Sequence, residues 1–349
     1  SSFHHRLIML HFDTDYMRGA HPEVMRRLVE TNLDQTPGYG TDSHTANAQK
    51  LILEACGLTE GRVYFLAGGT QTNATVIDSV LARHEGVIGA VTSHINVHEA
   101  GAVEATGHKV LTIPSHEGKI DAGELEEFVA DFYRDDTYEH MVAPGMVYIS
   151  QPTELGTLYS LKELEAISRV CRHFKMALYI DGARLGYGLA SPACDMTLKD
   201  IARLADVFYI GGTKVGALFG EAVVVANPAL FQHAVTLIKR RGALMAKGRL
   251  LGVQFETLFT DDLYLKLSAN AVDKAMQLKK AFVEAGYALY LDSPTNQQFF
   301  VLPNEVMDRL HEAATFELWG PRGEHETTVR FVTDWATSQD DVDALKALL

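Results

Sequence analysis

Between about residues 60 and 226, short apolar runs alternate with stretches of helical periodicity, and this alternation constrains the fold more than any other feature of the chain. Residues 63–66, 87–91, 110–113, 146–150, 177–180, 207–210 and 222–225 each read as a strand. A helix is predicted from about Asn73, and another over 161–174, where Leu164, Ile167, Val170 and Cys171 share one face. Continuous apolar strands separated by amphipathic helices predict a mostly parallel, seven-stranded-type sheet between helices, because a strand buried on both faces carries no polar alternation. Ligands of such sheets lie beyond the carboxyl ends of the strands. The last third has a different character: residues 250–285 read as largely helical, short strands follow at 288–291, 299–302 and 329–332, and a helix closes the chain from Asp340. The expectation is an α/β chain with a large domain over 36–245 and a smaller C-terminal α+β domain over 246–349. Residues 1–35 are expected to pack on the small domain or on a partner subunit.

The chain has 349 residues, 47% of them hydrophobic, enough to bury a sizeable core. A formal net charge of −14 repels phosphate backbones and anionic lipid, which argues against nucleic acid and membrane as partners. The three cysteines, Cys56, Cys171 and Cys194, form no CxxC pair, so neither a disulfide framework nor a zinc module is expected, and a reducing, cytoplasmic setting fits. No apolar run approaches the ~20 residues that span a bilayer, and Ser1 to His5 do not read as a signal peptide.

Three segments carry chemistry. The strand at 177–180 ends in Asp181-Gly182-Ala183-Arg184, which places a carboxylate at a strand tip; an ordinary helix cap is the other use of such an acid. The strand at 207–210 ends in Gly211-Gly212-Thr213-Lys214 and returns into the strand at 222–225, leaving a lysine between two apolar walls. Partial burial lowers a lysine pKa, as an imine-forming amine requires. The third segment is Gly68-Gly69-Thr70, a small-residue turn leading into a helix, where backbone N–H groups can hold an anion. It is not a Walker A loop, since no Gly-Lys-Ser/Thr follows. His94 and His98 are four apart, with Glu99 adjacent, but no HExxH accompanies them and no metal site is assigned.

Taken together, these segments resemble fold-type I pyridoxal 5′-phosphate (PLP) enzymes and, more narrowly, the threonine aldolase and β-eliminating lyase family. The resemblance runs over nearly the whole chain, through Asp13-Thr14-Asp15, Tyr39-Gly40-Thr41-Asp42, Gly68 to Asn73, His94-Ile95, Glu99-Ala100-Gly101, Asp181 to Leu185, Thr213-Lys214 and Val329 to Thr333. It implies an aspartate aminotransferase-like fold in which Lys214 holds the cofactor covalently and Asp181 pairs with its ring nitrogen. His94 would stack on the ring. Gly68, Gly69, Thr70 and Thr213 would hold the phosphate, and Arg184 would lie near ring and substrate. Arg330, Thr14 and Tyr39 would meet the substrate, and His94 or His98 would move protons. The implied reaction is retro-aldol cleavage of β-hydroxy-α-amino acids, threonine or allo-threonine giving glycine and acetaldehyde. A β-eliminating lyase or aminotransferase on the same residues is the alternative, and a non-enzymatic α/β binding protein a distant third. A homodimer or homotetramer is implied. At 151–156 the chain reads Gln-Pro-Thr-Glu-Leu-Gly where the family has an acid-led motif, Lys247 stands where arginine is common, and Asp334 where histidine is common.

Overall fold

The computed structural model describes residues 8–349, so residues 1–7 of the N-terminal segment lie outside the described residues. In chain order the first strands are β1 (Leu10–His11), β2 (Arg62–Leu66), β3 (Glu85–Ala90), β4 (Val110–Ile113), β5 (Ala143–Ser150), β6 (Ala177–Asp181), β7 (Val207–Gly211) and β8 (Glu221–Val225). Seven of these form one sheet in the order β2-β8-β7-β6-β5-β3-β4, in which β8 runs against its neighbours and the rest are parallel.

Both faces of this sheet are buried, as its apolar strands require. In β6, Leu178 and Ile180 enter one core with Phe208 and Ile210, while Ala177 and Tyr179 enter the other with Tyr148 and Tyr209. Side chains alternate along a strand, so Asp181 falls on the Tyr179 side at the strand tip. Fully burying an aliphatic side chain stabilises by about 1.5–3 kcal/mol, so a one-residue slip, which exchanges the two faces, is strongly disfavoured. The register pairs Ser150 with Asp181 at adjacent strand ends.

The remaining strands are β9 (Ala288–Leu291), β10 (Gln297–Pro303), β11 (Ala314–Thr315), β12 (Glu317–Leu318) and β13 (Glu326–Val332). An antiparallel sheet β12-β13-β10-β9 forms the smaller unit, and β1 pairs in parallel with β11. Leu10 and Phe12 fill its core with Phe282, Phe300 and Phe331, and the Val332 amide donates to the Phe12 carbonyl at 2.9 Å. The helix Arg249–Leu258 packs on the large unit: Phe255 and Leu258 enter its core, and Gly252 lies against Thr45 so closely that a Cβ there would collide with it. The large core therefore continues past residue 246. The helix Leu263–Glu284 bridges the two units, giving Tyr264 and Val272 to the large core and Leu278 and Phe282 to the small one.

Two local expectations are corrected. The helix expected from Asn73 begins at Gly69, since the glycines form the helix's opening turn rather than a connection before it. The helical stretch expected over 250–285 is two helices, broken where Asp261 and Asp262 adopt φ of 53° and 60°, a left-handed conformation that carboxylate side chains tolerate and a helix interior does not.

Candidate active site

The carboxyl ends of β5, β6 and β7 and the start of the helix Gly69–Val80 surround one cleft of about 150 Å³, lined by Gly69, Thr70, His94, Glu154, Asp181, Arg184 and Lys214 among others. Sheet topology alone gathers these groups: the β6 and β7 tips deliver Asp181 and the Lys214 loop from positions far apart in sequence. Glycine follows both tips for a steric reason. A Cβ on Gly182 would strike the Tyr209 carbonyl, and one on Gly211 the Ala183 carbonyl, so any larger residue would push the two turns apart.

Asp181 is buried and held on three sides. It accepts from Tyr148 Oη at 2.5 Å, Asn73 Nδ2 at 3.1 Å and the Ala183 amide at 3.0 Å. Asn73 also donates to Glu99 at 2.9 Å and accepts from Tyr179 Oη at 2.7 Å. The carboxylate is thus fixed in orientation by groups that are themselves fixed.

Lys214 sits in a loop closed by Thr213, whose Oγ1 accepts the Gly220 amide at 3.0 Å, while Tyr187 Oη donates to the Lys214 carbonyl. Its amino group lies 5.9 Å from the Tyr16 ring centroid and pairs with no carboxylate among the described residues. Burial first, then the charge of Arg184, lowers its pKa. Burial likewise raises Glu221, beside this loop, to about 8. Both directions favour the neutral forms, and a neutral amine is the nucleophile that imine formation needs.

His94 lines the cleft. Its Nδ1 lies 2.9 Å from Glu99 Oε2, and that hydrogen bond is the largest cause of its raised pKa. Arg184 is pinned by Asp15 through Nε and Nη2 at 2.6 and 3.0 Å. Burial works against the Asp15 carboxylate, but the charge and hydrogen bonds of Arg184 outweigh it and hold the pKa below the ordinary value. Arg330, on β13, donates to Gln297 at 2.9 Å, to Glu317 at 2.5 Å and to the Asp13 carbonyl at 3.2 Å, and its Nε is buried without a partner. Burial, then the charge of Arg184, lowers its pKa.

Not every expected residue reaches the cleft. His98 is exposed, 5.7 Å from the His94 ring, and does not line it. Tyr39 lies under Lys239 beside a separate apolar cavity. Thr213 braces the lysine loop, and Gly68 caps the helix whose next residues, Gly69 and Thr70, face the cleft. Neither Thr14, whose buried hydroxyl has no partner, nor Arg330 is among the residues lining the cleft. Sequence reasoning gave no role to Tyr148, Asn73, Glu99, Asp15 or Glu154. For Tyr148 a signal existed, since it lies two residues before a strand tip paired with that of Asp181.

The fit to a pyridoxal phosphate ring can be judged from the donors present. An amine free of ion pairs and an oriented carboxylate line the same cleft, which also holds the first turn of a helix whose N–H groups have no acceptor within the helix. These are the groups that the aldehyde, the ring nitrogen and the phosphate require, and they fit.

The chain's relatives agree with this chemistry. The pattern of the family described as β-eliminating lyase matches residues 11–305. A solved threonine aldolase of Leishmania major shares 42% identity at a TM-score of 0.92, covering 97% of this chain and 99% of that one. A low-specificity L-threonine aldolase of a Pseudomonas species is 29% identical over 345 residues, 96% of either chain. An aspartate aminotransferase of Thermus thermophilus, 12% identical, superposes at a TM-score of 0.69 over 98% of this chain and 91% of that one, a likeness of fold. The chain belongs to the β-eliminating lyase family, on the aspartate aminotransferase-like fold.

Proposed function

We propose that this chain is a PLP-dependent aldolase that cleaves the Cα–Cβ bond of β-hydroxy-α-amino acids, threonine or allo-threonine giving glycine and an aldehyde. The observation that carries it is the pairing, in one cleft, of the ion-pair-free Lys214 amine with the three-fold anchored Asp181 carboxylate. The relatives named threonine aldolases, one of them 42% identical, support the choice of reaction.

When bound, the cofactor supplies an imine-forming aldehyde and a ring that accepts the electron pair left on the α-carbon. The rest falls to the protein. Lys214 would supply the amine that holds the cofactor's aldehyde carbon. Asp181, aimed by Tyr148 and Asn73, would hold a proton on the ring nitrogen. His94, oriented by Glu99, would cover one ring face. The Gly69–Thr70 turn would take the phosphate, with Gly68 and Thr213 shaping that end. Arg330 and Thr14, both with unpartnered polar atoms, would grip the substrate carboxylate, and a planar guanidinium suits that task better than an ammonium. Arg184, fixed by Asp15, supplies positive potential beside the amine. His98, outside the cleft, has no part in this reading.

For the assembly we propose a homodimer or homotetramer in which Tyr39 reaches a neighbouring copy's site. Exposed apolar side chains near the N-terminal segment, among them Met17, Met25, Val29 and Leu33, support it. A cytoplasmic setting is proposed from three free cysteines; among the described residues no helix is long and apolar enough to cross a membrane.

Product analysis tests the reaction. Threonine should yield glycine and acetaldehyde in equal amounts, without added amino acceptor. Ammonia with a keto acid would instead establish β-elimination, and a requirement for an acceptor would establish transamination.

A further inference from the structure

Cleavage of a β-hydroxy amino acid needs a group to take the β-hydroxyl proton, and the cleft walls limit which group it is. His94 has one ring nitrogen committed to Glu99. His98 is outside the cleft. One carboxyl lining the cleft has no role in cofactor binding: Glu154, just after β5. It is not a surface acid that happens to face inward. Its Oε1 accepts from Ser150 Oγ at 2.7 Å and from the His94 amide at 2.9 Å, so it is built into the wall that carries the histidine. Ser150 Oγ lies 3.3 Å from Tyr148 Oη, and Tyr148 donates to Asp181 at 2.5 Å. Ser150 gives its one proton to Glu154 and Tyr148 its one to Asp181, so the two hydroxyls only touch, and each acid holds its own donor.

We propose that Glu154 is the proton acceptor for the substrate β-hydroxyl in cleavage, and its donor in the reverse direction, positioned by Ser150 and the His94 amide. The step balances without a further reactant. The β-O–H bond breaks and its proton passes to a Glu154 carboxylate oxygen. The O–H electron pair becomes the second bond of the aldehyde C=O. The Cα–Cβ bond breaks, and its pair stays on the α-carbon, from which the cofactor ring draws it. This inference rests on the aldolase reading above.

The surroundings tune Glu154 for the task. Burial is the largest influence and raises its pKa; the Ser150 and His94 hydrogen bonds oppose it, and the negative charge of Asp181 adds to it. Tyr148 and Tyr159, both buried with strongly raised pKa values, face it as neutral phenols, and His94, Arg184 and Lys214 share its cleft. A carboxylate whose pKa lies above the ordinary 4.5 is a stronger base, closer to what a general base at neutral pH requires.

The test separates proton acceptance at the β-oxygen from the rest of the site. In the holoenzyme, Glu154→Gln should lower kcat for threonine cleavage on the order of 10²-fold or more, the range for loss of a general base. Exchange of a glycine α-proton with deuterated solvent, which uses the cofactor site but no β-hydroxyl, should stay within a few-fold of the parent. Ser150→Ala removes a hydrogen bond that lowers the Glu154 pKa, so it should move the acid limb of the cleavage pH profile to higher pH. Infrared spectra of the cofactor-free protein, recorded in a Glu221→Gln background to remove the other raised glutamate, provide a readout independent of turnover: a protonated-carboxyl band should titrate above the ordinary glutamic acid range and vanish when Glu154→Gln is added. Cleavage by Glu154→Gln within threefold of the parent overturns the proposal. So does an equal fall in cleavage and glycine exchange, which would mark Glu154 as structural. If the parent neither exchanges glycine nor binds the cofactor, the failure is of the aldolase reading itself.

Discussion

The two walls of the cleft are built differently. The wall carrying Asp181 and Lys214 consists of neighbouring parallel strand tips, and the hydrogen-bonded register of β5, β6 and β7 fixes those residues relative to one another. The opposite wall presents Arg184, from beyond β6, which is held from behind by residues outside the cleft lining: Asp15 from the N-terminal segment and, through Asp15, Asn296 from the small unit. Asp15 joins Arg184 to the small unit, accepting from Arg184 and, at 3.0 Å, from Asn296. Backbone pairing holds the first wall. Side-chain bonds hold Arg184 to an N-terminal segment that backbone pairing fixes to the small unit, so loss of those side-chain bonds should register as instability and altered substrate affinity rather than loss of chemistry.

Substitutions on either side can break this contrast. The largest effect is expected from Lys214→Ala, on the order of 10³-fold or more in kcat, as for other nucleophile deletions, with little change in melting temperature; a loss of both together would erase the distinction between walls. Asp15→Ala should act the other way. It leaves Arg184 buried without its partner, which costs on the order of 3–5 kcal/mol, read as a lower urea midpoint. The sign with pH follows: the Asp15 pKa is depressed, so its stabilisation is present above the unfolded value of 3.8 and lost as pH falls through the folded value. A protein equally stable with and without Asp15 at neutral pH contradicts this account. Arg330→Lys keeps the charge but not the fork, and should raise KM for threonine about 10-fold while changing kcat less.

A smaller effect sharpens the first wall. The His94 pKa is raised, chiefly by Glu99, so the stabilisation from this pair is complete below 6.5 and is lost as pH rises through the higher folded value. Unfolding midpoints measured across that window should decline in the parent and stay flat in His94→Gln. His98→Ala, at an exposed position outside the cleft, should leave cleavage within about twofold.

The same contrast explains what was legible in the chain. Asp181 and Lys214 stand at the ends of apolar runs, and a run that ends in Asp-Gly or Gly-Gly-Thr-Lys marks its own tip. The strand order around them follows from few alternatives, because both faces must be buried. The opposing wall carried no comparable local mark. Asp15 and Arg184 are 169 positions apart and Asp15 and Asn296 are 281, and nothing in the local pattern of either says which partner it meets. Glu154 has no local mark either: it follows a strand end by a few residues, in a segment whose periodicity is neither strand nor helix. Only the Ser150 and His94 contacts show that it turns inward. The first turn of the helix Gly69–Val80 was read as a loop for a related reason: glycine propensity speaks against helix, while the packing of Thr72 to Ile77 decides for it.

The central claim is that one amine, Lys214, forms the covalent bond to the cofactor. Borohydride reduction of the cofactor-loaded protein, followed by peptide mass mapping, measures this directly. A single pyridoxyl adduct is expected on the peptide containing Lys214, at one equivalent per chain. An adduct on another lysine, with Lys214 unmodified, would contradict it.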